Sequence, residues 1–195
     1  KIGAARTNRR RDVWEDFCNA GEHALCRHPL REQAARCQAF GDETVELDGP
    51  RADEVRIRVA ASGLCHSDYH VVSGDLGSAF PIVLGHEAAG IVEAVGSDVR
   101  GLAKGDRVVT CSSIFCGHCN ECQGGHNHLC SDKPLRPAPD PSSPIRQNGE
   151  VIHQFCNIGG FAEEMVVHRS AVSKLPEGMP LDVASVLGCA VLTGM

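Results

Sequence analysis

A histidine and a glutamate stand side by side at His86 and Glu87, inside the otherwise apolar, glycine-broken segment Gly85-His86-Glu87-Ala88-Ala89-Gly90-Ile91-Val92-Glu93-Ala94-Val95-Gly96. An imidazole and a carboxylate in such a setting suit a metal ion. The helical zinc-protease arrangement needs a second histidine four residues on, so that both share one helix face, and that position is Gly90. The remaining ligands must come from elsewhere in the chain. Cys65, in Gly63-Leu64-Cys65-His66-Ser67-Asp68-Tyr69-His70, and Cys189, in Leu187-Gly188-Cys189-Ala190, are the candidates. Two thiolates and one imidazole make a three-ligand zinc site whose fourth tetrahedral position stays open to water or substrate, which separates catalytic from structural zinc. Asp68 is a candidate acceptor for the second ring N–H of His86, and Glu87 a carboxylate beside the metal. Ser67 and His70 flank Cys65 and offer a hydroxyl-to-imidazole path to solvent.

A second constellation has a different character. Cys116, Cys119 and Cys122 repeat a C-x2-C spacing and Cys130 closes the group, so four thiols fall within 15 residues. Four thiolates fill the coordination shell of zinc, and the expected role is to pin a loop that has no core of its own. The bacterial ferredoxin run leaves three residues between its third and fourth cysteines and follows the fourth with proline; neither holds here.

Both groups need a scaffold. From Gln38 onward short β-type segments alternate with glycine and proline turns: Glu43 to Leu47, Glu54 to Val59, Ile91 to Val95, Arg107 to Thr110 and Met165 to His168. They predict an irregular antiparallel β barrel or sandwich, mainly β with short helices, and not a βαβ sheet. Pro134 to Ser143 and Pro144 hold five of the ten prolines and read as a long surface loop. Pro180 to Leu187 reads as a short helix stopped by Gly188, with Cys189 just past its end. Residues 1–36 carry several arginines, Cys18, His23, Cys26 and His28 without clear periodicity and read as a leader of unassigned role.

Composition narrows the partners. Nineteen basic against 25 acidic residues give a net charge of −6, which offers no field to draw in nucleic acid or an anionic membrane. No apolar run approaches the roughly 20 residues that span a bilayer, and the first 30 residues contain no hydrophobic signal core. Eleven cysteines, an odd number, fit reduced metal-binding thiols better than a disulfide framework, so a cytoplasmic location is expected.

Taken together, Gly63-Leu64-Cys65-His66-Ser67-Asp68, Gly85-His86-Glu87 with Gly90 and Gly96, Lys104-Gly105-Asp106-Arg107-Val108, the four-cysteine group and Leu187-Gly188-Cys189 stand in an order that resembles the zinc-containing medium-chain alcohol dehydrogenases. The resemblance runs from about Cys37 to Met195. It implies a GroES-like catalytic domain over residues 37–180, with 181–195 beginning the connection to a coenzyme-binding domain. It implies two zinc ions per subunit: a catalytic one on Cys65, His86 and Cys189, with Glu87 and Asp68 around them, and a structural one on Cys116, Cys119, Cys122 and Cys130. By the same resemblance Ser67 and His70 match the family's proton relay, and His66 a contact to the cofactor pyrophosphate. Phe155, in Ile152-His153-Gln154-Phe155-Cys156, matches a wall of the substrate pocket, and Thr193 the threonine beside the nicotinamide.

The implied activity is oxidation of a small-molecule alcohol to an aldehyde or ketone with hydride transfer to NAD, in a homo-oligomeric enzyme. No two glycines in this chain are spaced as G-x-G, so the Rossmann fingerprint is absent from these 195 residues, and the resemblance marks them as an amino-terminal portion expected to be inactive alone. Two rivals accompany this reading. One is a thiol-adduct formaldehyde dehydrogenase of the same family, and the other a zinc-binding module without catalysis.

Overall fold

The computed structural model describes residues 43–134 and 144–195. Along the described chain the elements are β1 (Glu46–Leu47), β2 (Glu54–Gly63), α1 (His66–Ser73), β3 (Ile82–Val83), β4 (Glu87–Val95), β5 (Arg107–Thr110), α2 (Asn120–Gln123), β6 (Ile145–Gln147), β7 (Glu150–Gln154), β8 (Glu164–His168), β9 (Val172–Lys174), α3 (Leu181–Ser185) and α4 (Ala190–Gly194). Residues 1–36, with Cys18, His23, Cys26 and His28, lie outside the described residues, as does most of the proline-rich stretch.

The strands form two sheets. One has the order β8-β2-β4-β5-β9 and is antiparallel throughout; the other has the order β1-β6-β7-β3, in which β3 and β7 are parallel. The expected mainly β architecture with short helices is therefore present. Alternation in Glu54 to Val59 sends Val55 and Ile57 inward, where they meet Val92, Val108, Ile114, Ile158, Met165 and Val167 in one buried cluster. Each such side chain contributes about 1.5–3 kcal/mol relative to exposure. A smaller cluster of Val71, Ile82, Leu84 and Phe155 packs α1 against β3.

Close strand approach accounts for two of the glycines. A Cβ on Gly90 would lie 2.3 Å from the carbonyl oxygen of Arg58 on β2, and one on Gly96 would lie 1.9 Å from that of Arg51. Both positions exclude a side chain.

The structure corrects several expected boundaries. The strand expected over Glu43 to Leu47 shortens to Glu46–Leu47, which pairs with β6 across two residues. The strand expected from Ile91 begins at Glu87, because Ala88, Ala89 and Gly90 pair with β2 despite their weak strand preference. The helix expected over Pro180 to Leu187 is shorter: α3 ends at Ser185, a 3-10 turn covers Val186–Gly188, and α4 resumes after Cys189. Helix α1 went unassigned because His66 to Ser73 mixes polar and apolar residues without a clear stripe. Among the described residues no helix is long and apolar enough to cross a membrane.

Candidate metal centres and active site

Strand register assembles the first centre. β2 and β4 pair with Gly63 opposite Glu87, so Cys65, two residues beyond the end of one strand, comes beside His86, one residue before the start of the other. Cys65 is the N-cap of α1 and its N–H donates to Oδ2 of Asp68 at 3.1 Å, while the Asp68 N–H donates back to the Cys65 carbonyl at 3.0 Å. The other Asp68 oxygen accepts the N–H of Gly85 at 2.9 Å. One buried carboxylate thus ties both ligand-bearing segments together. Gly85 itself adopts φ +87, and a Cβ there would strike Phe161 at 2.7 Å.

Cys189 reaches the same point from the far end of the chain. Gly188 seats its backbone on β5: a Cβ there would lie 1.8 Å from the carbonyl oxygen of Thr110. Thr110 is fully buried, and its hydroxyl accepts from the Ala88 N–H and donates to the Ala88 carbonyl, each at 3.1 Å. Thr110 therefore links the strand that follows His86 to the turn that carries Cys189. No local sequence pattern marks Thr110, since its role depends on Ala88 and Gly188.

The donor atoms of Cys65, His86, Glu87 and Cys189 all lie within 4.8 Å of one another. Cys65 Sγ and Cys189 Sγ are 4.0 Å apart, far beyond a disulfide bond and close to the roughly 3.8 Å edge of a tetrahedron with zinc–sulfur bonds of about 2.3 Å. Nδ1 of His86 stands 3.5 Å from Oδ1 of Asp68, too long to give it a hydrogen bond of its own although the ring is buried. The Asp68 carboxylate raises His86 above its ordinary pKa against the opposing effect of burial. Burial pushes Cys189 up to about 11, with the Cys65 sulfur adding to it. Two sulfurs, a buried imidazole and a buried carboxylate so close together are a donor set that a zinc ion fits. Glu87 belongs to this set directly, and its Oε2 also lies 3.4 Å from the Ala190 N–H.

The other expected site residues fall around this group. Ser67 Oγ is 3.7 Å from Cys65 Sγ, and Thr193 Oγ1 is 3.9 Å from Cys189 Sγ. Phe155 packs edge-on to the His86 ring at 5.4 Å and 81°. Next to it Cys156, at φ 53, has its thiol pushed up to about 11 by burial and by the charges of Asp68, Cys189 and Cys65, which keeps it neutral. The rings of His66 and Tyr69 stack at 5.5 Å, and the His70 ring lies 4.5 Å from that of His66.

The second centre is built locally. Cys116, Cys119, Cys122 and Cys130 bring their sulfurs within 4.8 Å of one another, with 3.9 Å between Cys116 and Cys122 and between Cys119 and Cys130. The Cys116 sulfur accepts the N–H groups of His118 and Cys119 at 3.4 and 3.3 Å, and the Cys130 sulfur accepts that of Cys116 at 3.3 Å. Backbone N–H groups of Cys122 and Ser131 lower Cys119 to about 5, whereas burial and the surrounding thiols push Cys122 up to about 12. Four sulfurs at this spacing repel as thiolates, and a zinc ion at their centre fits both the distances and the charge. All eight cysteines among the described residues are free.

Comparison with known proteins agrees with this picture. Residues 51–177 match the family model described as the alcohol dehydrogenase GroES-like domain. The chain is 41% identical over 162 residues to alcohol dehydrogenase B of Mycobacterium tuberculosis, covering 80% of this chain and 43% of that protein. It is 42% identical over the same length to the NDMA-dependent alcohol dehydrogenase of Amycolatopsis methanolica, with the same coverage. The crystal structure of an alcohol dehydrogenase zinc-binding domain protein from Burkholderia ambifaria superposes with a TM-score of 0.75 at 38% identity, covering 83% of this chain and 45% of that one. The chain spans less than half the length of the relatives it matches. It belongs to the zinc-containing medium-chain alcohol dehydrogenase family, as that family's GroES-like domain.

Proposed function

We propose that these residues form the zinc-bearing part of an enzyme that oxidises an alcohol to an aldehyde or ketone with NAD as hydride acceptor. The observation that carries the reading is the convergence of Cys65, His86 and Cys189 from three distant parts of the chain. Zinc there supplies Lewis acidity toward a substrate hydroxyl, and the nicotinamide supplies the capacity to accept hydride.

The protein's own groups do the rest. Cys65, His86 and Cys189 hold the metal, and Asp68 orients His86. Ser67, the second residue of α1, receives the substrate proton and passes it toward His70, three positions on along the same helix face. Phe155 walls the substrate position with its ring against His86. His66 and Thr193 would contact the cofactor. Cys116, Cys119, Cys122 and Cys130 hold a second zinc that braces their loop. In domain terms residues 37–180 form the catalytic unit, 181–195 lead toward a coenzyme-binding unit, and 1–36 precede both. The odd count of eleven cysteines favours metal-binding thiols in a reducing, cytoplasmic compartment. The complete enzyme is read as a homo-oligomer.

Zinc content and alcohol-dependent NADH formation test this reading, measured on a protein carrying these residues together with a dinucleotide-binding domain. Cys65→Ala is expected to lose one zinc and abolish turnover, and retained turnover overturns the reading. The 195-residue chain alone is expected to bind zinc without turning over.

A further inference from the structure

We propose that Asp75 sets the tautomer of His70 and so fixes which ring nitrogen receives the proton that Ser67 passes on. The proposal rests on the reading of His70 as the outlet of the proton path. Nδ1 of His70 lies 3.3 Å from Oδ2 of Asp75, and the same oxygen accepts from the hydroxyl of Ser73 at 2.6 Å. The Ser73 hydroxyl first, then His70, holds the Asp75 carboxyl below its ordinary value. An ionised carboxylate has no proton to give, so Nδ1 carries the hydrogen in this contact. The neutral ring then keeps its lone pair on Nε2, and Nε2 is the atom left to accept.

The local backbone is shaped to make this contact. α1 ends at Gly74, whose φ of +84 is strained for any residue with a side chain, and the chain turns back there. The Gly74 N–H donates to the Val71 carbonyl at 3.3 Å and the Leu76 N–H to the His70 carbonyl at 2.9 Å, which carries residue 75 alongside residue 70. The rings that flank His70 are His66 at 4.5 Å and Tyr69 at 6.2 Å, and neither offers a carboxylate. His70 and Asp75 side chains are 43% and 65% exposed, so the pair contributes little to stability. Exposure is nonetheless what the solvent end of a proton path requires. Asp75 touches no reacting atom in this account; it is a positioning residue.

The test reads the tautomer directly and needs neither cofactor nor turnover. Two-bond 1H–15N correlation spectra of the zinc-loaded chain are recorded at about pH 8.5, some two units above the ordinary imidazole value. His70 is expected to show a protonated Nδ1 and an unprotonated Nε2. Asp75→Ala is expected to move the proton to Nε2 or to average the two nitrogen shifts, while Asp75→Asn, which keeps an acceptor oxygen, retains mostly Nδ1–H. A wild-type ring protonated at Nε2 overturns the proposal, as do nitrogen shifts unchanged in Asp75→Ala. His70→Gln in the turnover assay addresses the proton-path reading separately: unchanged turnover would remove the outlet role while leaving the tautomer result standing.

Discussion

Oδ1 of Asp68 lies 3.5 Å from Nδ1 of His86, with both side chains buried and the remaining Asp68 contacts spent on the N–H groups of Cys65 and Gly85. Asp68 therefore acts on two proposed ligands at once, through the ring of one and the backbone of the other. Asp68→Asn keeps the shape and removes the charge. It is expected to weaken zinc at the open centre by about 10–100-fold, the usual cost of losing a carboxylate behind a ligating histidine. Competition with a coloured chelator measures this, and an unchanged dissociation constant would show that the carboxylate serves only the fold.

The two centres are expected to separate on mutation. Cys65→Ala removes one zinc per chain and costs less in unfolding than loss of the other, since the N-cap backbone contact to Asp68 survives the loss of the thiol. Cys119→Ala removes the other zinc and costs more than about 4 kcal/mol, the scale associated with losing a structural metal. The loop it braces offers little apolar burial, and neither α2 nor the 3-10 turn at Asn127–Leu129 buries a residue. Metal analysis with chemical denaturation distinguishes the variants; equal stabilities would contradict the assignment of roles.

The candidate ligands were legible in sequence because thiols and imidazoles announce their chemistry and because the C-x2-C spacing is local. Gly90 and Gly96 were legible as punctuation, although the strand contacts that demand them emerged only with the register of β2 and β4. Thr110 was not legible. Its importance lies in pairing β5 to β4 beneath Gly188, a relation between positions 88, 110 and 188 that no local pattern encodes. The short strands β6 and β7 were missed for the same reason, since their pairing carries them and their propensity does not. Asp75 carries no local signal either, because its contact with His70 depends on the left-handed Gly74.

A pH dependence of stability follows from His168, which is not among the candidate metal ligands. Its Nδ1 accepts the Ser170 N–H at 3.1 Å and its Nε2 faces Asp53 at 3.3 Å, so the folded ring is neutral with its hydrogen on Nε2. Burial lowers its pKa, Arg169 adds to that, and Asp53 and Glu54 oppose it. The unfolded chain binds the proton more readily, near 6.5, so the stability His168 contributes is present above that value. It is lost as pH falls from about 6.5 through the folded value. Denaturation of wild type and His168→Gln across pH 5 to 8, conditions chosen to span the ordinary imidazole value, should show a steeper acid-side loss in the wild type. Parallel curves would contradict the assignment.

Gly188 provides the sharpest separation between fold and site. A Cβ there would stand 1.8 Å from the Thr110 carbonyl oxygen and 3.4 Å from the Cα of Cys111, so Gly188→Ala must push the turn away from β5. Backbone cannot yield as a flexible side chain would, and overpacking of this kind costs typically about 1–3 kcal/mol. The displacement falls on the residue next to Cys189, whose sulfur must stay within reach of Cys65 and His86. Cys116, Cys119, Cys122 and Cys130 take no part in that contact and should keep their metal. Gly188→Ala is therefore expected to fold with reduced stability and to bind one zinc fewer than the wild type. A variant retaining full zinc binding at wild-type affinity would show that Cys189 reaches the centre without the close seat on Thr110.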